Sequence, residues 1–475
     1  NDSFQIKRSK IRGVVSEGMI CAEDELGLGN SHDGIMVLDP SAKVGTQGAE
    51  YCDIIVDYIY EIGLTPNRID CGSHFGVARD LAAFLSVNNG DDFVAIKPSV
   101  DKFKIDNNEN PYEVEIVNPE ACPRYAGLTV SGVTVGESPD WLKNRLKSIG
   151  LNPINNVVDI TNFVQFEIGQ PLHSFDADKI AGKKVVVKNL PDGTKFITLD
   201  GVERTLNGKD LMICDVNEGM CIGGIFGGLE SGVSESTVNI FLESAYFNPV
   251  TIRKTSRRLG IKTDSSFRFE RGVDHESTIY ALKRAAMLIK EIGGGKISSN
   301  IVDIYPKKIE KARVEVLYGN IDRLIGKTID RSLIRKILAL MDFIIISEGD
   351  DRLYLEVPAY RVDVTCEADV VEEILRIYGY NNVEIDDNVH SILYYSEKPD
   401  NERVVNIISD MLSSNGFTEI MCNSLNPAAF YENEPFDKES LVLLSNPLSG
   451  DLNAMRQSLL YGGLSSVARN INHQN

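Results

Sequence analysis

The segment YRVDVTCEADVVEEILRIYGY, residues 360–380, carries the densest set of groups able to do chemistry. Asp369 and Glu373 are four residues apart, Glu372 is adjacent, and Asp363 precedes Asp369 by six residues. Carboxylates one helical turn apart face the same way, and such an oxygen set without His or Cys suits a hard cation that keeps several waters, namely Mg²⁺. The same spacing also describes acids that decorate a helix N-terminus, with Glu372 pairing with Arg376 at i, i+4. A second, dispersed set comprises the QPLH run ending at His173, Glu243 after the apolar run NIFL, and the glycines Gly224 and Gly227 of CIGGIFGG. His173 reads either as an acid–base group or as a structural histidine. The glycine run fits neither phosphate-loop pattern, so it signals close backbone approach. A third set is basic: Arg253, Lys254, Arg257 and Arg258 form like-charge i, i+4 pairs, unfavourable unless an anion lies over the helix. Arg8, Lys10 and Arg12 share one face if their segment is a strand. Each basic set also reads as a solvated face.

These residues need elements to hold them. Residues 4–39 alternate short apolar runs with glycine and charge, as strands and turns do, and CDIIVDYIY, 52–60, reads as a strand. HFGVARDLAAFL reads as an amphipathic helix ending near Leu85. Ser138-Pro139 with Gly150 brackets a helix having Pro at its first position. Asp192-Gly193, Asp200-Gly201 and Asn207-Gly208 punctuate β segments as hairpin signals, implying a twisted antiparallel sheet. Residues 313–380 read as strand, helix from Asp330, hairpin and a second helix closing at Gly379, an order that suggests a small winged-helix-like module. Ser396 to Glu402 reads as a linker, followed by a helix with Val404, Val405, Ile408, Met411 and Leu412 on one face up to Gly416.

A chain of 475 residues suggests about three domains. Its composition, 43% hydrophobic and 25% charged, excludes fibrous and disordered classes, and no run approaches the ~18 apolar residues of a membrane helix. The net charge of −20 repels polyanions on average, so nucleic-acid contact needs local basic patches. Eight scattered cysteines without CxxC pairs indicate reduced thiols and a cytosolic setting, and no zinc spacing occurs among the six histidines. Both ends read as cut.

In order along the chain, KIRGVVSEGMICAEDELGLG, LTPNRIDCGSHFGVARDLA, INNVVDITNFVQFEIGQPLHSFD, GGIFGGLESGVSE, RRLGIKTDSSFRFERGVD, residues 363–380 and NPLSGDLNAMRQSLL resemble the bacterial phenylalanyl-tRNA synthetase β subunit. The resemblance implies a multidomain α+β chain: a partial OB-fold β-barrel for tRNA binding (1–46), a small α/β domain (47–115), a mixed α/β editing domain (116–310), a winged-helix-like Mg²⁺-binding module (311–385) and the start of a class II synthetase-like antiparallel α/β domain (386–475). It implies an α₂β₂ assembly in which the α subunit binds ATP and phenylalanine and charges tRNA(Phe). This chain would hydrolyse Tyr-tRNA(Phe) in an editing pocket mapped onto His173, Glu243, Gly224, Gly227, Thr263 and Ser265. Ser265 stands where a familiar member carries Ala, which changes pocket polarity. The metal carboxylates map onto Asp363, Asp369, Glu372 and Glu373. The Met455-Arg456-Gln457 stretch lacks the acidic residue after Arg that an ATP-binding version would show, so its domain is expected to dock on α.

Two other readings remain beside this one, a stand-alone nucleic-acid-binding protein and a free-standing hydrolase of mischarged tRNA. The first is disfavoured by the acidic charge balance, and the second needs no partner. The expected partners are the α subunit and tRNA(Phe), with no membrane and no DNA.

Overall fold

The computed structural model describes residues 6–29, 31–52, 57–385, 400–432 and 435–473. The chain divides into two compact units, residues 1–385 and 386–475. The first opens on a hairpin of β1 (Ser9–Ile11) and β2 (Val14–Ser16), followed by the short helix α1 (Gly48–Tyr51). Residues 57–60, expected to be in a strand, lie in no regular element, and 53–56 fall outside the described residues. Helix α2 (His74–Asn88) runs three residues beyond the expected end, and the Ser73 side chain caps its start by accepting from the Gly76 N–H.

The next elements are β3 (Glu113–Ile116), β4 (Arg124–Ser131), α3 (Asp140–Ser148), α4 (Asn156–Ile168), β5 (Leu172–Asp176), β6 (Lys184–Asn189), β7 (Lys195–Ile197), β8 (Glu203–Thr205), β9 (Leu211–Cys214), β10 (Gly219–Ile222), β11 (Phe226–Gly227) and β12 (Asn239–Tyr246). Pro139 is the N-cap of α3, one place outside the expected position; Gly150 follows at φ +81°. Of the three dipeptides expected to close hairpins, Asp200-Gly201 does so, between β7 and β8. The other two form turns lying against each other, the Gly208 N–H donating to the Asp192 carboxylate, because β6 and β9 leave the small β7–β8 ribbon to pair with one another.

Helices α5 (Pro249–Leu259), α6 (Asp264–Phe269) and α7 (Ser277–Gly293) and strands β13 (Lys296–Ile297) and β14 (Val302–Ile304) complete this region. Its central antiparallel sheet has the order β13-β4-β12-β5, with β14 also on β4. A second sheet, β11-β10-β9-β6-β3, is antiparallel except for the parallel β3–β6 pair. Because side chains alternate across a strand, the central sheet serves two cores. Ala126, Leu128, Val130, Ile240 and Leu242 pack with α3, α4 and α7. Tyr125, Phe175, Phe241 and Ala245 face the other way, into a core shared with Val185, Ile213 and Met220 of the second sheet.

Further on lie β15 (Arg313–Leu317), α8 (Tyr318–Ile325), α9 (Arg331–Leu340), β16 (Ile344–Glu348), β17 (Arg352–Glu356) and α10 (Glu367–Tyr378), with a sheet ordered β15-β17-β16. The expected helix from Asp330 begins there, with that carboxylate capping two backbone N–H groups, and α10 ends at Gly379. Helix α8 has no counterpart in the sequence reading. In the second unit, α11 (Asn401–Ser414), β18 (Leu425–Asn426), β19 (Ala454–Met455) and α12 (Leu460–Asn472) are described. The apolar positions of α11 fall on a helix as expected, yet Val404, Val405, Ile408, Met411 and Leu412 are exposed. Part of the linker segment, up to residue 399, lies outside the described residues.

Candidate editing site and the family of the chain

Of the second constellation, which spacing could not join, the central sheet brings His173 and Glu243 together. The Asn155 side chain starts α4 by accepting from Val157 and Val158, and Gly169 at φ +85° ends it. Buried Gln170 then donates from Nε2 to the Ala245 carbonyl at 2.8 Å, fastening the entry of β5 beside β12. The resulting register puts His173 directly opposite Glu243. Side chains paired in this way lie on one face with Cβ atoms ~5 Å apart. That face is the one turned toward the second sheet, since Phe175 and Phe241 share its alternation.

Burial decides the charges of the pair. Glu243 is 4% exposed and its carboxyl is pushed up to about 7, against the opposing pull of a hydrogen bond from the Tyr125 phenol at 2.7 Å. His173 is held down to about 4 by burial, so its ring is neutral at pH 7. Its Nε2 is buried without a hydrogen-bond partner, and the ring meets Phe175 edge to face at 4.5 Å. An unpaired buried ring nitrogen opposite a carboxyl raised toward neutrality makes this pair the candidate site.

The two glycines have different surroundings. A Cβ at Gly227 would stand 3.0 Å from His173 Cε1 and 2.8 Å from Leu199 Cδ1, so glycine there lets the β10–β11 hairpin close on the imidazole. Gly224 takes φ +67° in the hairpin turn, and a Cβ would stand 2.7 Å from Phe247 Cδ2. It seats the turn on the core rather than lining His173. Thr263 is the N-cap of α6, and its Oγ1 also donates to the Ile225 carbonyl in that same turn at 2.9 Å. The Ser265 hydroxyl donates to Gln165 Oε1 of α4 at 3.0 Å, which occupies its polarity. Tyr125 and Gln165 stand at no spacing that signals a site in the sequence; packing alone brings them to it. A cleft of about 870 Å³ lined by Val77, Phe163, Phe166 and Phe267 is apart from this pair.

The carboxylates of 363–373 are not gathered around an empty centre. The Arg361 guanidinium, 2% exposed, donates to both Asp363 oxygens at 3.0 and 2.9 Å and pairs with buried Glu373. Arg376 donates to Glu373 at 2.7 Å and pairs with Asp80. Burial pushes the Glu373 carboxyl up, but its bonds to Arg361 and Arg376 win and hold it at about 2. Asp369 accepts from the Thr365 and Cys366 N–H groups at the start of α10, and Glu372 is exposed. Among the described residues no group of three or more His, Cys, Asp or Glu side chains is placed to hold a metal, so the set as it stands does not fit Mg²⁺. Arg376 pairs with Glu373 rather than Glu372, because Glu373 lies on the inner face of α10.

The basic residues divide as well. Arg258 is drawn to buried Asp210, and Arg253 donates to the Glu270 carbonyl at 2.6 Å. Lys254 and Arg257 are exposed without an ion-pair partner among the described residues. Lys10 lies on β1 while Arg12 turns off it at φ +51°, and Arg8 pairs with Glu17 at 3.1 Å, so the three do not form one strand face. All eight cysteines are unpaired. Among the described residues no helix is long and apolar enough to cross a membrane. Arg456 donates to the carbonyls of Cys422 and Asn423, within its own unit.

Three domain families match. They are the B3/4 domain over residues 121–294, the tRNA synthetase B5 domain over 314–380 and the phenylalanyl tRNA synthetase beta chain CLM domain over 385–475. With the mixed α/β sheets described above, they define a chain of the tRNA-synthetase class. Proteins named phenylalanine–tRNA ligase beta subunit from Bacteroides fragilis (strain YCH46) and Bacteroides thetaiotaomicron are 53% and 52% identical over 100% of the chain, and one from Porphyromonas gingivalis is 49% identical over 99%. The chain belongs to the phenylalanine–tRNA ligase beta-subunit family. It spans 57–58% of the length of these curated relatives.

Proposed function

We propose that this chain is the editing and tRNA-contacting part of a phenylalanine–tRNA ligase, hydrolysing Tyr-tRNA(Phe) while an α subunit charges tRNA(Phe) with the use of ATP and Mg²⁺. The observation that carries the reading is the His173–Glu243 pair under Gly227. A pocket that admits tyrosine and turns away phenylalanine needs a buried polar group that the phenol satisfies and the bare ring leaves unpaired. Glu243 has that character and already accepts a phenol from Tyr125. Neutral His173, with Nε2 free, is suited to hold the attacking water or the ester against the hairpin backbone. Thr263 and Gly224 hold the hairpin turn, and Ser265 tethers α6 to α4. No step is assigned to a metal on this chain.

The same reading takes residues 1–46 as part of an OB-fold, 47–115 as a small α/β domain, 116–310 as the editing domain, 311–385 as a winged-helix-like module and 386–475 as part of a synthetase-like domain. The exposed apolar face of α11 supports docking of the last on the α subunit in an α₂β₂ assembly of the cytoplasm. Lys254 and Arg257, with Arg253 and Arg258 beside them, supply phosphate contacts for tRNA. Deacylation of Tyr-tRNA(Phe) in the assembled full-length ligase tests the proposal. His173→Ala and Glu243→Ala are each expected to slow it about tenfold or more, Glu243→Ala with the larger loss of tyrosine preference. Parent rates for both would remove the pocket from these residues.

A further inference from the structure

Glu243 does not stand alone on its face of the sheet. The residue directly opposite it in β4 is Gly127, and the space a side chain would take there is filled by the Phe241 ring, whose Cζ lies 2.3 Å from where a Cβ would be. The partner of Glu243 is therefore found one pleat away, at Tyr125, which is paired with Ala245 and is 0% exposed. The Tyr125 phenol donates to Glu243 Oε2 at 2.7 Å, and among the described residues no other group hydrogen-bonds this carboxyl. A carboxyl held at one oxygen has a fixed plane and one oxygen left to offer.

We propose that Tyr125 is a positioning residue for the editing reaction, tying down one oxygen of Glu243 so that the other meets the phenol of a tyrosyl ester pre-oriented. The inference rests on the reading of Glu243 as the tyrosine-recognising carboxyl. A recognition group held by its own scaffold discriminates better than one free to turn toward a solvent molecule or a backbone donor, because no reorientation is required when the substrate arrives. Among the described residues the titratable groups facing this carboxyl are few. They are Tyr125 on β4, His173 on β5, Cys221 on β10 and Cys122 just before β4, and burial holds both thiols protonated and His173 neutral. A change in the behaviour of Glu243 on altering Tyr125 therefore reports on their shared hydrogen bond.

The test compares hydrolysis of Tyr-tRNA(Phe) with that of Phe-tRNA(Phe) across pH 5.5–8.5 in the assembled full-length ligase. The proteins are the parent, Tyr125→Phe, Glu243→Gln and a protein carrying 3-fluorotyrosine at position 125. Tyr125→Phe keeps the ring and removes only the donor. It is expected to move the midpoint of the tyrosine preference up by about one pH unit and to lower that preference about fivefold at pH 7. The fluorinated phenol, a stronger donor of the same shape, is expected to move the midpoint down. It also keeps the question answerable if Tyr125→Phe folds poorly. Opposite shifts are not produced by a packing role. If Glu243→Gln leaves the preference at its parent value, the reading of Glu243 and this inference both fall. If Glu243→Gln abolishes it while the two Tyr125 proteins keep the parent midpoint, Tyr125 alone is misassigned.

Discussion

Glu243 and His173 are 70 residues apart in the chain and directly opposite one another on β12 and β5, both turned into the space between two sheets. The geometry makes a carboxyl and an imidazole share a buried environment in which both prefer to be neutral. The β10–β11 hairpin closes over them through a glycine.

Gly227→Ala tests that closure. The new Cβ would stand 2.8 Å from Leu199 and 3.0 Å from the imidazole, so the ring must turn or the hairpin must lift. Stability is expected to fall by about 1–3 kcal/mol, and Tyr-tRNA deacylation to fall further than the stability loss accounts for. Urea unfolding and deacylation rates on the same protein separate the two effects.

The buried pair also shapes stability against pH. The Glu243 carboxyl is raised from 4.5 to about 7 in the folded state, so the folded chain holds its proton more tightly, and stability is full below the unfolded value and lost as pH rises from 4.5 through 7. The His173 ring is lowered from 6.5 to about 4, so its contribution is lost as pH falls from 6.5 through 4. Denaturant midpoints of Glu243→Gln measured from pH 4 to 8 are expected to lack the decline that the parent shows toward neutrality. An unchanged decline would place the Glu243 carboxyl in a more solvated setting.

Arg361 bridges Asp363 and Glu373 of the 363–373 segment. Replacing it by Met leaves Glu373 and Asp363 without their shared guanidinium, and breaking a buried pair costs about 3–5 kcal/mol. Guanidinium unfolding of the chain measures the loss. EDTA added to the parent chain is expected to leave its midpoint unmoved, since Arg361 and Arg376 supply the countercharge. A midpoint that falls on chelation and returns with Mg²⁺ would show a metal holding these acids instead.

The basic face of α5 separates by salt dependence. Lys254→Ala and Arg257→Ala, which break no ion pair within the described residues, are expected to weaken tRNA binding and each lower the log–log salt slope by about 0.7–0.9. Arg258→Ala removes the partner of buried Asp210 as well, so it should cost stability that the other two do not. Filter binding across a salt series, read with unfolding midpoints, distinguishes them.

Much of this protein is local in origin and could be read from the chain. The 313–380 order of strand, capped helix, hairpin and helix closing at glycine follows from periodicity and from turn and cap residues that act within a few positions. So does the amphipathic α11. The family resemblance rests on motifs in order, and the domain matches and relatives bear it out.

What the chain could not reveal by itself depends on partners far away in sequence. Four acids on one short segment look alike until packing shows that Arg361 and Arg376 take Glu373, while Asp369 turns to its own helix start. Spacing also could not tell that Arg258 answers Asp210 while Lys254 and Arg257 stay exposed, or that β7 and β8 leave the sheet that β6 and β9 continue. Periodicity assigns a residue to a face but does not say which strand lies beside it. The joining of His173, Glu243, Tyr125 and Gly227 therefore came only with the register of β4, β12 and β5 and the hairpin that lies over them.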